Sequence, residues 1–170
     1  ERGGAQKILF DVISRNKSKQ YKHFVISLTE EKNLSKELEK HVVKIFHLNG
    51  KGILIFPILI IKTLFLVKKI KPCYIQSWLY HADFIASLTG FIANKIPIIW
   101  TIHHASYSLK YDSFHSKLIV NILSKFSKYI PKYIIYCSEF SYAIHKKLGF
   151  KEEHSIVIPN GIDFQKFCQN

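Results

Sequence analysis

Cysteine is scarce in this sequence, which has three in 170 residues. Cys73, Cys137 and Cys168 lie far apart and show no C-x-x-C spacing, which argues against a zinc ribbon or a dithiol redox pair. Separated cysteines in odd number are typical of reduced thiols, so the sequence predicts a cytoplasmic protein. The sequence also shows no secretion-signal pattern.

Acidic residues and arginine are also few. Twelve Asp and Glu oppose 25 Lys and Arg, the formal net charge is +13, and Arg2 and Arg15 are the only arginines. The excess favours an anionic partner without separating nucleotide phosphates, a lipid surface and nucleic acid, and a solvated lysine-rich surface is the alternative. Nucleic-acid-binding surfaces usually combine arginine with exposed aromatic platforms, so the scarcity of arginine disfavours that class.

Long apolar runs are absent as well. The strongest candidate, residues 52–67, is about 16 residues long and contains Pro57 and Lys62, whereas a membrane span needs roughly 20 apolar residues. We therefore predict a core helix. Because Lys68, Lys69 and Lys71 follow it, peripheral contact with an anionic membrane is a second interpretation of the same segment.

Helical and strand patterns alternate over the whole chain. The predicted helices cover residues 4–17, 34–40, 52–71, 80–93, 113–129 and 139–148. The predicted strands cover residues 23–28, 42–48, 73–77, 97–102, 132–137 and 155–158. This alternation predicts one α/β domain over residues 1–170, a Rossmann-like doubly wound parallel sheet with helices on both faces. Such a domain usually opens with a strand before its glycine-rich turn, so we expect the first strand to be missing from this sequence.

Ligands of doubly wound sheets bind beyond the carboxyl ends of the strands. Gly3 and Gly4 open a predicted helix, where free backbone N–H groups can bind a diphosphate or a sugar oxygen, and a simple tight turn is the alternative. Residues 76–83, QSWLYHAD, follow a predicted strand and offer stacking faces and hydrogen-bonding groups for a sugar. The candidates in this segment are Trp78, Tyr80, His81 and Asp83. Alternatively, Trp78 fills the core and His81 or Asp83 caps the helix.

His103 and His104 follow the next predicted strand. Imidazole donates and accepts protons near neutral pH, so both are candidate catalytic or sugar-binding residues, and a structural role stays open. A metal site is disfavoured because adjacent strand residues point to opposite faces and no third ligand is evident. Ser138 is predicted to cap the helix that begins after it. Asn160 and Gly161 are predicted to form a turn, since Asn-Gly tolerates positive φ. Because all three follow predicted strands, Ser138, Asn160 and Gly161 are also candidate donor- or acceptor-binding residues.

Several motifs occur in the order and at the spacing seen in bacterial family-4 glycosyltransferases. They are GGAQ at residues 3–6, QSWLYHAD at 76–83, WTIHH at 100–104, YCS at 136–138 and IPNGID at 158–163. The chain thus resembles the N-terminal domain of a retaining glycosyltransferase of GT-B architecture. The resemblance implies transfer of a sugar from a UDP- or GDP-linked donor to a glycan or lipid-linked glycan acceptor, in surface polysaccharide or lipopolysaccharide biosynthesis. The nucleotide sugar is a substrate, so no cofactor and no metal are implied.

The resemblance also implies roles for individual residues. Gly3 and Gly4 would face the donor phosphates and the acceptor, and one of His103 and His104 would contact the transferred sugar. We favour His103, which lies two residues after Thr101. The same resemblance assigns a basic pair and a Glu-x7-Glu pair to a C-terminal donor-binding domain that is absent from this chain. We therefore expect no activity from residues 1–170 alone, and a location in the cytoplasm at the inner face of the membrane.

Two other classes remain as alternatives. A Rossmann-type dehydrogenase or methyltransferase would usually show G-x-G-x-x-G after a strand, and this sequence does not. A non-catalytic basic module that binds membranes or nucleic acid would explain the net charge of +13.

Overall fold

The computed structural model describes residues 4–16, 18, 20–30, 33–52, 55–103 and 114–161. Within these residues six helices alternate with six strands. In chain order they are α1 (Gly4–Ser14), β1 (Phe24–Ser27), α2 (Asn33–Leu38), β2 (Lys44–His47), α3 (Phe56–Ile70), β3 (Ile75–Trp78), α4 (Tyr80–Ile92), β4 (Ile98–Ile102), α5 (Phe114–Phe126), β5 (Pro131–Tyr136), α6 (Glu139–Lys147) and β6 (Ser155–Val157). Every element predicted from the sequence is present, with ends shifted by a few residues.

The strands pair in parallel, as the alternation predicted, and helices cover both sides. β3, β4, β5 and β6 form one sheet in that order, and β1 and β2 form a second sheet. The sequence did not predict this division. The rings of Tyr21 and Tyr74, which lie just before β1 and β3, are 6.1 Å apart, so the entry ends of the two sheets are neighbours. The first strand expected before Gly3 stays a prediction.

The main core lies on the four-stranded sheet. Trp100, Ile134 and Tyr136 have no exposed surface, and α4 and α5 cover them with apolar side chains. The Trp100 indole is also hydrogen-bonded, since its Nε1 donates to Ser87 Oγ at 3.0 Å. Such pairing is what allows a tryptophan N–H to be fully buried. The buried contacts of Trp100 therefore fix α4 against β4, near the carboxyl end of that strand.

A second core cluster joins the two sheets through α3 and α4. Leu48, Leu59 and Ile85 are its buried members. The chain leaves β2 through Gly50, whose N–H donates to the Leu28 carbonyl oxygen at 2.8 Å. A β-carbon at position 50 would lie 2.7 Å from that oxygen, so only glycine fits here without displacing the backbone. The start of α3 lies beside the start of α4, where the Phe56 and His81 rings are 5.7 Å apart.

The apolar segment predicted as a core helix is α3, and the prediction is half right. Leu59, Thr63 and Val67 are buried on one side, whereas Ile61 and Phe65 are 67% and 68% exposed on the other. Within the described residues, no helix combines the length and apolar character needed to span a bilayer.

Candidate active site

The carboxyl ends of four parallel strands define the candidate site. In the observed register Trp78 is opposite Thr101, Ile102 is opposite Tyr136 and Tyr136 is opposite Val157. Parallel strands in this register end at one edge of the sheet, so the residues that follow each strand gather there. The sequence predictions at positions 78, 103, 138 and 160 therefore fall on the same edge.

Trp78 and His103 form the best-defined feature of this edge. Their rings are stacked, with centroids 4.8 Å apart and planes 11° apart, and both side chains are half-buried. Trp78 ends β3 and His103 follows β4, so the pairing of these strands brings the two rings together. Beneath them, Gln76 Nε2 donates to Thr101 Oγ1 at 3.0 Å and adds a side-chain link between the strands. The imidazole plane of His103 is thereby fixed at the sheet edge.

Two of the predicted sites, Gly3 and His104, lie outside the described residues. Of the two candidate histidines the structure describes only His103, which lies in the stack, and the preference for His103 over His104 stays a prediction. Gly4 is the first residue of α1 and is exposed, with open space where a β-carbon would be. Its predicted role in binding a donor or an acceptor stays a prediction.

Tyr80 is not in an accessible site, contrary to the sequence prediction. Its side chain is 5% exposed, and its hydroxyl lies 2.6 Å from His145 Nε2. The other ring nitrogen, Nδ1, lies 2.7 Å from the Ser141 carbonyl oxygen, which can only accept. Nδ1 therefore carries a proton, and in the neutral imidazole Nε2 accepts from the Tyr80 hydroxyl. Tyr80 ties α4 to α6, and its aromatic body faces the core rather than a ligand.

Asp83 is likewise buried, with no exposed surface. Ser77 Oγ donates to its Oδ1 at 2.6 Å, which links β3 to α4. Burial raises the pKa of this carboxyl well above its ordinary value, and hydrogen bonds from Ser77 and the Thr101 backbone offset only part of the rise. The predicted ligand-binding role of Asp83 does not fit this position, and neither does capping, because Leu79 is the N-cap residue of α4.

His81, Ser138, Asn160 and Gly161 remain accessible at or near the edge. His81 is half-buried in the first turn of α4 and meets the Phe56 ring edge-on at 5.7 Å. Ser138 caps α6 as predicted, since its Oγ accepts from the Ser141 N–H at 3.1 Å. Asn160 and Gly161 are exposed, and neither uses the positive φ suggested by their sequence. The ligand contacts predicted for these four residues stay predictions.

His145 was missed by sequence reasoning. It is fully buried between Tyr80, Tyr136 and Phe150, yet Lys146 and Lys147 follow it directly, so its position along the chain resembles a solvated helix face. The only local signal was its spacing of four residues from Ser141, whose carbonyl oxygen it contacts within α6. Its partner Tyr80 is 65 residues away and left no local signal.

Residues 2–166 match the family model described as Glycosyltransferase Family 4. The chain belongs to this family. The resemblance inferred from the strand-end motifs is therefore confirmed. No curated protein sequence matches the chain significantly.

The fold of this family-4 chain is similar to that of Alr3699/HepE from Anabaena. The crystal structure in complex with UDP has a TM-score of 0.71 at 19% identity and covers 97% of this chain and 43% of that chain. The structures with UDP and glucose and with UDP-glucose have TM-scores of 0.70 and 0.69 at 20% identity, and they cover 97% of this chain. The chain spans less than half the length of these proteins. The similarity confirms the predicted GT-B fold class.

The family-4 domain also carries a strained residue beside the stack. Leu79, between Trp78 and α4, has φ 74° and ψ 151°, a region that is essentially restricted to glycine. Its N–H lies 3.4 Å from the Thr101 carbonyl oxygen, and its own carbonyl accepts from the Asp83 N–H at 2.9 Å. These bonds bracket the turn from β3 into α4. Strain of this kind persists where the surrounding structure fixes it, and it is frequent at functional sites.

Replacing Leu79 by glycine is expected to raise the free energy of unfolding by about 1 kcal/mol. The strain costs about 1–3 kcal/mol, and the added freedom of glycine in the unfolded chain cancels part of the gain. Urea denaturation measures the change. Leu79→Ala is the matched control, because alanine loses the same side-chain contacts and keeps the strain. A Leu79→Gly variant that is less stable than Leu79→Ala would show that the backbone here is unstrained, because only the added freedom of glycine would then separate the two.

The described residues include no group of three or more His, Cys, Asp or Glu side chains placed to bind a metal ion. Cys137 follows β5, with its N–H 3.3 Å from the Ile102 carbonyl oxygen, and its side chain is half-buried. The geometry at the edge thus offers a stacked imidazole, a helix N-terminus capped by Ser138 and an exposed segment at Asn160 and Gly161. This set suits the binding of a polar ligand by stacking and hydrogen bonds.

Proposed function

We propose that this domain is the acceptor-side half of a retaining glycosyltransferase that transfers a hexose from a nucleotide diphosphate donor to a glycan. Family membership supports the reaction class. The observation that carries the proposal is the stack of His103 on Trp78 at the carboxyl edge, where doubly wound sheets bind ligands. The second, donor-binding domain is part of the same proposal, since the chain matches less than half of the HepE structures.

A UDP-linked sugar is the donor we propose to test first. The similar HepE structures were solved with UDP, with UDP and glucose, and with UDP-glucose, and these ligands are properties of HepE. For this chain the choice is between UDP- and GDP-linked hexoses. The net charge of +13 favours binding of either diphosphate without choosing between them.

The proposed chemistry assigns orientation and hydrogen bonding to this domain. His103, held flat by Trp78, would present an imidazole nitrogen to a hydroxyl of the sugar or the acceptor. Fixing the acceptor hydroxyl against the anomeric carbon replaces a bimolecular encounter with an oriented one. Charge that develops on the leaving diphosphate would be stabilised by preorganised dipoles and cations, which the proposal places largely in the second domain.

We further propose a lipid-linked glycan as the acceptor, in the biosynthesis of a surface polysaccharide or lipopolysaccharide at the inner face of the membrane. The support is the lysine-rich composition and the exposed apolar and basic side of α3. A lipid-linked acceptor requires that the enzyme work beside a membrane. The protein would then be peripheral and cytoplasmic.

The proposal is tested with the full-length protein and a panel of UDP- and GDP-hexoses. We expect one UDP-hexose to give nucleotide release that accelerates when a membrane extract with lipid-linked glycans is added, together with retention of configuration in the product. Failure of every donor, with acceptor extract present, would overturn the proposal. Steep salt-dependent binding to random DNA, or protection against unfolding by NAD or S-adenosylmethionine, would then identify the alternative class.

A further inference from the structure

Both sides of α3 carry apolar side chains, but only one side is buried. One side packs through Leu59, Thr63 and Val67 into the protein. On the opposite side Ile58, Ile61 and Phe65 are 50%, 67% and 68% exposed. Large apolar side chains exposed at spacings of three and four residues form a continuous stripe on a helix. Clustered apolar surface of this kind marks an interaction site more often than scattered exposed residues do.

Lysines lie on the same side as the stripe. At about 100° per residue, an arc of roughly 120° of the helix contains Ile58, Ile61, Lys62, Phe65, Lys68 and Lys69. All three lysines in this arc are exposed. No acidic residue occurs in the sequence between Glu39 and Asp83, and Asp83 is fully buried. The surface is therefore apolar and positive, with no acidic side chain of its own segment to neutralise it.

The neighbouring edge strand extends this surface. An open groove of about 550 Å³ between β2 and α3 is lined by side chains that include Phe46, Ile61, Lys62 and Phe65. On β2, Lys44 Nζ lies 5.2 Å from the centroid of the Phe46 ring. Apolar side chains and lysine charges therefore both continue from α3 to β2.

We propose that this α3 surface, formed by Ile58, Ile61, Phe65, Lys62, Lys68 and Lys69, docks the domain onto the anionic headgroup layer of a membrane. The apolar stripe enters the boundary between headgroups and acyl chains, and the lysines bind lipid phosphates, an arrangement in which apolar burial and charge act together. The exposure and charge of the α3 side chains support membrane binding whatever reaction the protein catalyses. Its purpose, to hold the acceptor side next to a lipid-linked glycan, rests on the proposed function.

The charge and shape favour a lipid surface over nucleic acid or protein. Lysine binds phosphate as a point charge from any direction, whereas base and carboxylate recognition use the planar fork of arginine, and this helix has none. Nucleic-acid sites also stack bases on exposed rings along a groove. Here Phe65 is the exposed ring of the stripe, and the other exposed apolar side chains are isoleucines, which suit insertion among acyl chains.

The experiment is sedimentation of the full-length protein with vesicles of phosphatidylcholine alone and with 30% phosphatidylglycerol as the anionic lipid. The variant Lys62→Gln/Lys68→Gln/Lys69→Gln should lower the partition coefficient on anionic vesicles by roughly 100-fold, because each lysine contributes about fivefold near such a surface. Lys125→Gln/Lys132→Gln/Lys147→Gln is the matched control. It removes the same charge from exposed sites on α5, β5 and α6 and should change binding less than about threefold.

A second variant separates insertion from charge. Ile61→Ser/Phe65→Ser should retain binding at low salt and lose the part of binding that persists at 1 M salt, since charge is screened there within about 3 Å. All substituted side chains are exposed, so the thermal midpoints of the variants should match that of the wild type. An unchanged partition coefficient in the α3 triple variant would overturn the proposal. So would dimerisation of the vesicle-free protein that the serine variant abolishes, which would assign the surface to a second copy.

Nucleotide release from the donor, measured on the same samples without vesicles, keeps this inference distinct from the proposed function. Vesicle binding that depends on α3, in a protein that transfers no sugar, would sustain the surface and overturn the function. Sugar transfer by a protein that binds no anionic vesicle would support the proposed function and overturn the proposed membrane-binding surface.

Discussion

Replacement of His103 by alanine in the full-length protein is expected to lower kcat/KM for sugar transfer by about 100-fold or more. A single preorganised hydrogen-bonding group in a closed site commonly contributes a factor of about 100–1000 to the rate. His103 meets the structural requirement for such a group, because Trp78 holds its ring flat at 4.8 Å on the carboxyl edge of the sheet. Initial rates with the preferred donor, at fixed acceptor, measure the effect.

Variants of its stacking partner distinguish a chemical role from a structural one. Trp78→Phe keeps an aromatic face under the imidazole and should retain most of the activity. Trp78→Ala leaves the imidazole unsupported and should lower kcat more than it raises KM for the donor, because orientation affects the transition state most. If His103→Ala stays within about threefold of the wild type with an unchanged thermal midpoint, the functional histidine of this edge is not His103.

The sequence was sufficient for the fold because the relevant signals are local. The alternation of helical and strand patterns predicted every described element, and parallel pairing followed from it. The division into two sheets did not follow, since strand order depends on contacts between distant segments. For α3, an apolar run looks the same whether both of its sides are buried or only one, so the exposure of Ile61 and Phe65 was not predicted.

The site was predicted less well than the fold, for reasons visible at residues 76–83. This segment ends a strand and starts a helix, and the side-chain period changes from two to 3.6 residues at the junction. Leu79 turns the chain there through a conformation that no local pattern predicts for a leucine. The sequence therefore could not predict which side chains face the core among Tyr80, His81 and Asp83. Tyr80 is fixed inward by His145, whose distance along the chain hides the pairing.

The buried carboxyl of Asp83 is expected to make stability depend on pH in a diagnostic direction. Its pKa is raised in the folded protein, so the protonated carboxylic acid is the form that the fold accommodates. This raised pKa penalises folding wherever the unfolded chain would be ionised. Below the ordinary pKa of an aspartate, near 4, the penalty is absent, and it grows by about 1.4 kcal/mol per pH unit until the pH reaches the raised value.

Asp83→Asn should remove this dependence. The amide keeps an oxygen that accepts from Ser77 Oγ and carries no titratable proton, so the variant should gain stability relative to the wild type as the pH rises from 4 to 8. The described residues provide no hydrogen-bond partner at the buried Oδ2 position, so an amide N–H placed there carries a fixed cost. This cost lowers the stability of the variant by the same amount at pH 4 and at pH 8. The difference between the two pH values, rather than either value alone, is the quantity that tests the prediction.

Urea denaturation of both proteins at half-unit pH intervals gives that difference. Asp11→Asn is the matched control, since it removes the same charge from a half-buried side chain on α1 that lies 4.0 Å from Arg15. It should change stability by less than about 1 kcal/mol, because a solvent-accessible ion pair contributes little. Parallel pH curves for the wild type and Asp83→Asn would mean that this carboxyl ionises in the folded state without cost. The link from Ser77 to Asp83 would then be an ordinary polar contact between β3 and α4.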